Sequence, residues 1–71
     1  MDIHDIHGTN FGIHEGAKES KDFLRGEDRH IVEGYLKHAE EHGKAHFEDA
    51  EGRKFTMEHK DGVYNIRPRH I

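Results

Sequence analysis

A chain of 71 residues with a net charge of -4 forms one small domain at most, and a domain of that size buries only roughly 60% of the surface its unfolded chain exposes. Leu, Ile, Val and Phe supply 14 of the 71 residues, so the core is thin and sits near the composition at which chains stop folding. The lack of cysteine excludes disulfide staples and thiolate-ligated zinc, and no apolar run is long enough for a membrane span.

Residues 1 to 16 are rich in glycine and histidine. Their start has neither a basic stretch nor an apolar segment of the kind a signal peptide needs, which leads us to expect a soluble, cytoplasmic protein. The motif HDIHGTNFGIH, residues 4 to 14, contains an Asp-Ile-His echo and places Phe11 and Ile13 on one side of a potential strand. The arm either adds an edge strand or lies outside the sheet. His4, His7 and His14, with Asp2 and Asp5 close by, form a candidate set for zinc, nickel or copper, because three imidazole nitrogens and one carboxylate oxygen complete a tetrahedral site. The H-x2-H-x6-H spacing is not one that a metal geometry demands, and solvated or edge-strand histidines are the plainer reading.

Residues 17 to 43 read as helical. The segment KESKDFL forms a short leading helix that turns Phe23 and Leu24 inward, with Gly26 as its break. The main helix runs from about Glu27 to His42. Ile31, Val32, Tyr35, Leu36 and Ala39 recur at three- and four-residue spacing and gather into one apolar stripe. Glu27 and Asp28 suit the positive helix end, and Gly43 is a natural residue just past the last turn. Gly34 interrupts the pattern and points to a close backbone approach. His38 and His42, four apart, share a face at the border of the stripe and form the second candidate metal pair. A zincin would need Glu after the first histidine, and Ala39 stands there.

Residues 44 to 71 read as strands. Asp61-Gly62 accepts the positive φ angles of a type I′ turn, which pairs Lys60 with Val63, His59 with Tyr64, Met57 with Ile66 and Thr56 with Arg67. This register gathers Phe55, Met57, His59, Tyr64, Ile66 and Pro68 on one face. A three-residue loop, Ala50-Glu51-Gly52, adds a further strand that pairs Asp49 with Arg53, Glu48 with Lys54, Phe47 with Phe55 and Ala45 with Met57. Pro68 lacks a donor and suits an edge or a terminus. The expected fold is therefore α+β: one main helix packed on a three-stranded antiparallel meander (α-β-β-β). Residues 1 to 16 are its arm and residues 17 to 71 a single small domain.

Residues 1 to 52 carry a net -7 and residues 53 to 71 a net +3, so the halves attract each other within the fold or between copies. Lys54, Lys60 and Arg67 on the outer face of the meander, with Arg69 nearby, are candidate partner-binding cations. Catalysis has little support. Ser20 is the only serine and no G-x-S-x-G surrounds it, and Gly8 and Gly12 lack the setting of a phosphate loop. Protonating all nine histidines would carry the formal charge from -4 to +5, which makes association through the acidic half sensitive to acid. Taken together, the residues point to a non-enzymatic interaction or regulatory module that needs no cofactor and binds a protein or a second copy of itself. Histidine-mediated binding of zinc, nickel or copper is the first alternative, and nucleic-acid contact through the basic outer face is the second. His30 and the tail residue His70 indicate no chemistry by themselves.

Overall fold

The computed structural model describes residues 2–69, so His70 lies outside the described residues. Two strands open the chain, β1 (Asp2–Ile6) and β2 (Thr9–Ile13). His7 and Gly8 join them with φ of 51° and 85°, the pair of positive angles that closes a two-residue hairpin in step with strand twist. Gly8 N donates to Asp5 Oδ1 at 3.1 Å, which steadies the turn. Ile6, Phe11 and Ile13 point to the core side and are buried.

A 3-10 turn (Glu15–Ala17) leads into α1 (Lys18–Gly26). Ala17, Ser20 and Leu24, at three- and four-residue spacing, are fully buried. Ser20 Oγ donates to the Ala17 carbonyl at 2.6 Å, so the lone serine is a buried helix residue. The main helix, α2 (Arg29–His42), starts where Asp28 accepts from His30 N at 2.8 Å and ends where Gly43, at φ 85°, donates to Ala39 O at 2.7 Å. Val32 and Ala39 are buried and Tyr35 and Leu36 partly so, but Ile31 stays 47% exposed, which narrows the expected stripe. An exposed ion pair, Arg29–Glu33 at 3.1 Å, lies on its solvent side.

Three further strands follow: β3 (Lys44–Glu48), β4 (Lys54–Lys60) and β5 (Val63–Pro68). Both registers read from the turn residues are present: Glu48 opposite Lys54, Phe47 opposite Phe55 and Ala45 opposite Met57, then Met57 opposite Ile66 and His59 opposite Tyr64. Gly52 and Gly62 take φ of 80° and 78°, with Asp61 at 54°.

The architecture as a whole departs from the expected α-β-β-β meander. The sheet has five strands in the order β1-β2-β5-β4-β3, and two helices pack on it. The first hairpin lies against β5 in parallel, with Phe11 opposite Tyr64, Gly12 opposite Asn65 and Ile13 opposite Ile66. The sheet is therefore mixed, and β5, expected as the last ribbon of a meander, is its central strand. Pro68 is tolerated there as its final residue. The arm is consequently built into the sheet. It contributes Ile6, Phe11 and Ile13 to the same cluster as Leu24, Val32, Phe47, Phe55, Met57 and Ile66. Phe47 lies at the aromatic centre, 5.2 Å from Tyr35, 5.4 Å from Phe55 and 6.1 Å from Phe23 between ring centroids.

Gly34 meets no neighbour where a Cβ would project, so it marks no close approach and the expectation of one is corrected. Gly34→Ala should stabilise the protein by up to ~1 kcal/mol through helix propensity. Gly62→Ala, at positive φ, should destabilise it by about 1–2 kcal/mol. Urea unfolding of both variants measures the two opposite signs, and a loss of stability in Gly34→Ala would contradict the open helix face.

Candidate functional site: the uncovered sheet face and its β1 edge

Strand alternation assigns the two faces. Asp2, His4 and Ile6 share the helix side with Phe11, Ile13, Tyr64, Ile66, Phe55, Met57, Ala45 and Phe47. The opposite side carries Ile3 and Asp5 on β1, Asn10 and Gly12 on β2, and Val63, Asn65 and Arg67 on β5. It continues with Lys54, Thr56, Glu58 and Lys60 on β4 and Lys44, His46 and Glu48 on β3. Both helices pack on the first side, so the second has no covering layer.

The two halves of this open face differ. Over β3, β4 and β5 the polar side chains satisfy one another. Lys54 pairs with Glu48 at 3.8 Å, Arg67 pairs with Glu58, and His46 Nδ1 meets Thr56 Oγ1 at 3.0 Å, which helps to bury Thr56. Partial desolvation, with Arg69, Lys44 and Arg67 close by, holds the His46 imidazole below its usual pKa, so this corner gains little charge on mild acidification. Of the expected partner-binding cations, the fold thus brings Arg67 and Arg69 towards His46, sets Lys54 one row away on Glu48, and leaves Lys60 exposed at the far hairpin tip. Two of the four are engaged by carboxylates.

Over β1, β2 and the start of β5 the face carries one charged side chain, Asp5. Ile3 is 64% exposed and Val63 47%, and they lie diagonally across Gly12 and Asn10. Composition does not single out Ile3, yet its signal is present in the Asp-Ile-His echo. Ile3 and Ile6 are three apart, so a strand must turn them to opposite faces, and only Ile6 is buried. Beside Ile3 the sheet ends, since β1 is an outer strand. Ile6 and Thr9 flank a two-residue turn, which makes them a hydrogen-bonded pair. Ile3 and Asp5 then direct their backbone N–H and C=O groups away from β2.

The arm histidines do not assemble into the expected metal set. His4 faces a cleft of about 420 Å³ lined by Asp2, Ile13, Glu15, Lys18 and Lys21. His7, in the turn, donates through Nε2 to the Leu24 carbonyl at 2.9 Å. His14, at the other end of the hairpin, accepts from Gly16 N through Nδ1 at 3.1 Å and caps the 3-10 turn. Hairpin formation itself drives them apart, because it places residue 7 at the closed end and residue 14 beyond the open end. Among the described residues no three His, Asp or Glu side chains converge as a metal site. His38 and His42 remain side by side on α2, ring centroids 4.5 Å apart. His59 faces inward with its ring 4.7 Å from that of Tyr64. Burial, with the Glu40 carboxylate beside it, pushes the Tyr64 phenol up to about 12.

A second, shallower depression of about 310 Å³ lies between α1 and the loop after β3, lined by Glu19, Asp22, Phe23, Ala50, Glu51, Asp49 and Arg53. Asp49 organises that loop: its Oδ1 accepts from Glu51 N at 3.0 Å and Arg53 N at 2.9 Å, and its Oδ2 from Arg53 Nε at 2.7 Å. Burial alone would raise its pKa, but these donors together lower it below 3.8.

Comparison with known proteins finds no matching family model, no matching curated protein and no matching solved structure. No helix among the described residues is long and apolar enough to cross a membrane.

Because the folded-state pKa of Asp49 is depressed, its contribution to stability is present above the unfolded value and is lost as pH falls through the folded one. Asp49→Asn should therefore lower the urea midpoint at pH 7, and its deficit should shrink as pH falls below about 4. A deficit that is constant with pH would show that the charge contributes nothing.

Proposed function

We propose that the protein is a non-enzymatic, cytoplasmic interaction module that associates through the β1 edge and the bare sheet corner beside it, with a second copy of the chain as occupant. The observation that supports this most directly is Ile3, 64% exposed on an outer strand. A thin core gives the association its driving force, since apolar surface buried between copies adds to what one 71-residue chain can bury alone. β3, the other outer strand, presents Lys44, His46 and Glu48 on its open side, the charged dressing that discourages edge pairing.

One antiparallel register uses all of β1 and matches its outward backbone groups once the exposed Arg25 side chain, whose guanidinium donates to Asp5 O at 3.4 Å, swings clear. Ile3 faces Asp5 of the second copy and Asp5 faces its Ile3, each as a hydrogen-bonded pair, while His4 faces His4 across the two-fold axis and Asp2 faces Ile6. No carboxylate stands opposite another. The interface is isologous, so it closes at a dimer.

His4→Cys provides the test, because the chain has no cysteine of its own and a non-hydrogen-bonded antiparallel pair brings Cβ atoms to disulfide distance. Mild oxidation should convert His4→Cys to a disulfide dimer, whereas Lys60→Cys at the hairpin tip should remain monomeric. In parallel, sedimentation equilibrium should show concentration-dependent dimers that Ile3→Lys abolishes without changing the far-UV circular dichroism. A monomer at all concentrations together with equal cross-linking of the two cysteine variants would overturn the proposal.

A further inference from the structure

We propose that His38 and His42 form a two-nitrogen chelate for a borderline divalent metal ion (Ni²⁺, Cu²⁺ or Zn²⁺) at the C-terminal end of α2, independent of the β1 edge. The two residues are four apart on one helix, with ring centroids at 4.5 Å, tilted by 44°, and both side chains are exposed. Two imidazoles on one tetrahedral ion, with metal–nitrogen bonds of ~2.0–2.1 Å, have centroids roughly 5 Å apart. The ring spacing is therefore close to that of a chelate, and turning the nitrogens onto one ion calls for rotation about side-chain bonds with no movement of the backbone.

Two features of the surroundings favour a cation at this place. The C-terminal end of a helix carries the negative pole of the backbone dipole, and His42 is the last residue of α2. Glu41 Oε2 lies 4.0 Å from His42 Nε2, so a carboxylate stands beside the ligating nitrogen, where it can orient an imidazole or neutralise the ion. Lys37, the neighbouring cation on the helix, is turned about 100° away from His38. Water fills the remaining coordination positions.

The helix explains why this pair survives where the arm set does not. Residues 4, 7 and 14 are separated by a hairpin, whereas an α-helix holds residues four apart in register. The Irving–Williams order ranks Cu²⁺ above Ni²⁺ and Zn²⁺ for such nitrogen ligands. The imidazoles must be neutral to bind, so affinity falls on acidification.

The probes are NiCl2 and CuCl2 alone, titrated into the full chain at pH 7.5 by calorimetry, with two-dimensional NMR following the Cu²⁺ broadening. The expected result is one equivalent bound, Cu²⁺ more tightly than Ni²⁺, with broadening centred on residues 38–46. His38→Ala and His42→Ala should each weaken binding at least about tenfold, because the surviving imidazole loses its preorganised partner. Both positions are exposed, so circular dichroism should show these variants folded. His4→Ala and His14→Ala should leave the affinity unchanged. The absence of heat at millimolar metal, or binding that survives both His38→Ala and His42→Ala, would overturn the proposal. Because Ile3→Lys should not alter the metal affinity, the chelate and the β1 dimer stand or fall separately.

Discussion

The parallel seam between β2 and β5 holds the rest of the structure together. Phe11 opposite Tyr64, Gly12 opposite Asn65 and Ile13 opposite Ile66 join two units, an N-terminal hairpin and a C-terminal meander, that are each too small to bury much apolar surface alone. Beyond the seam, His14 N donates to Ile66 O at 2.9 Å, so the chain stays bound to β5 as it turns towards α1. Phe11, Ile13 and Ile66 all lie below 5% exposure. Were the seam to open, Phe11 and Ile13 would face water along with the inner side of β5. The thin core tolerates few such losses, since a small domain's net stability is the difference of two large terms.

This seam is also what the sequence conceals. A two-residue reversal writes its register locally: Asp61-Gly62 fixes β4 against β5, and Gly52 fixes β3 against β4, because only certain residues accept positive φ. Nothing local marks a parallel partner that lies across two helices and two other strands. The hairpin at His7-Gly8 has the same geometry as the one at Asp61-Gly62, but His-Gly is not among the dipeptides that signal such a turn, and the flanking histidines draw attention to metal chemistry instead. Once that turn is placed, β1 and β2 follow, with Ile6, Phe11 and Ile13 on the helix side. The remaining ambiguity, which existing strand β2 joins, is resolved by β5, whose Tyr64 and Ile66 offer apolar positions in step with Phe11 and Ile13.

The histidines show how far composition alone can mislead about chemistry. Their number invites a metal reading, yet the arm histidines are spent on separate local contacts. His7 anchors the turn to α1 through Leu24 O, and His14 caps the 3-10 turn. With its Nδ1 lone pair taken by Gly16 N, the neutral His14 ring has none left for an ion, and His7 is tied down at the closed end of the hairpin. His46 is held by Thr56, and His59 by packing on Tyr64. Helical periodicity is the better guide to convergence than the count of imidazoles, because it fixes which side chains are neighbours before any tertiary contact forms. That is why the His38 and His42 pairing was legible in the sequence and the scattering of His4, His7 and His14 was not.

The open sheet face divides by chemistry along β5, and that division follows from strand order. β3 and β4 are charge-rich because they were written as a surface hairpin: Glu48 meets Lys54 and, one strand on, Glu58 meets Arg67, so two of the four cations that look available in the sequence are compensated in the fold. β1 and β2 instead offer glycine, asparagine, an unpaired isoleucine and a single carboxylate, Asp5, which accepts from Gly8 N. In a five-stranded sheet with two outer strands, the outer strand without a charged ladder is the one with least to lose by acquiring a neighbour. The period-three echo in Asp-Ile-His-Asp-Ile-His places one isoleucine in the core and the other outside. The same repeat that builds the hairpin therefore also leaves Ile3 exposed at the edge.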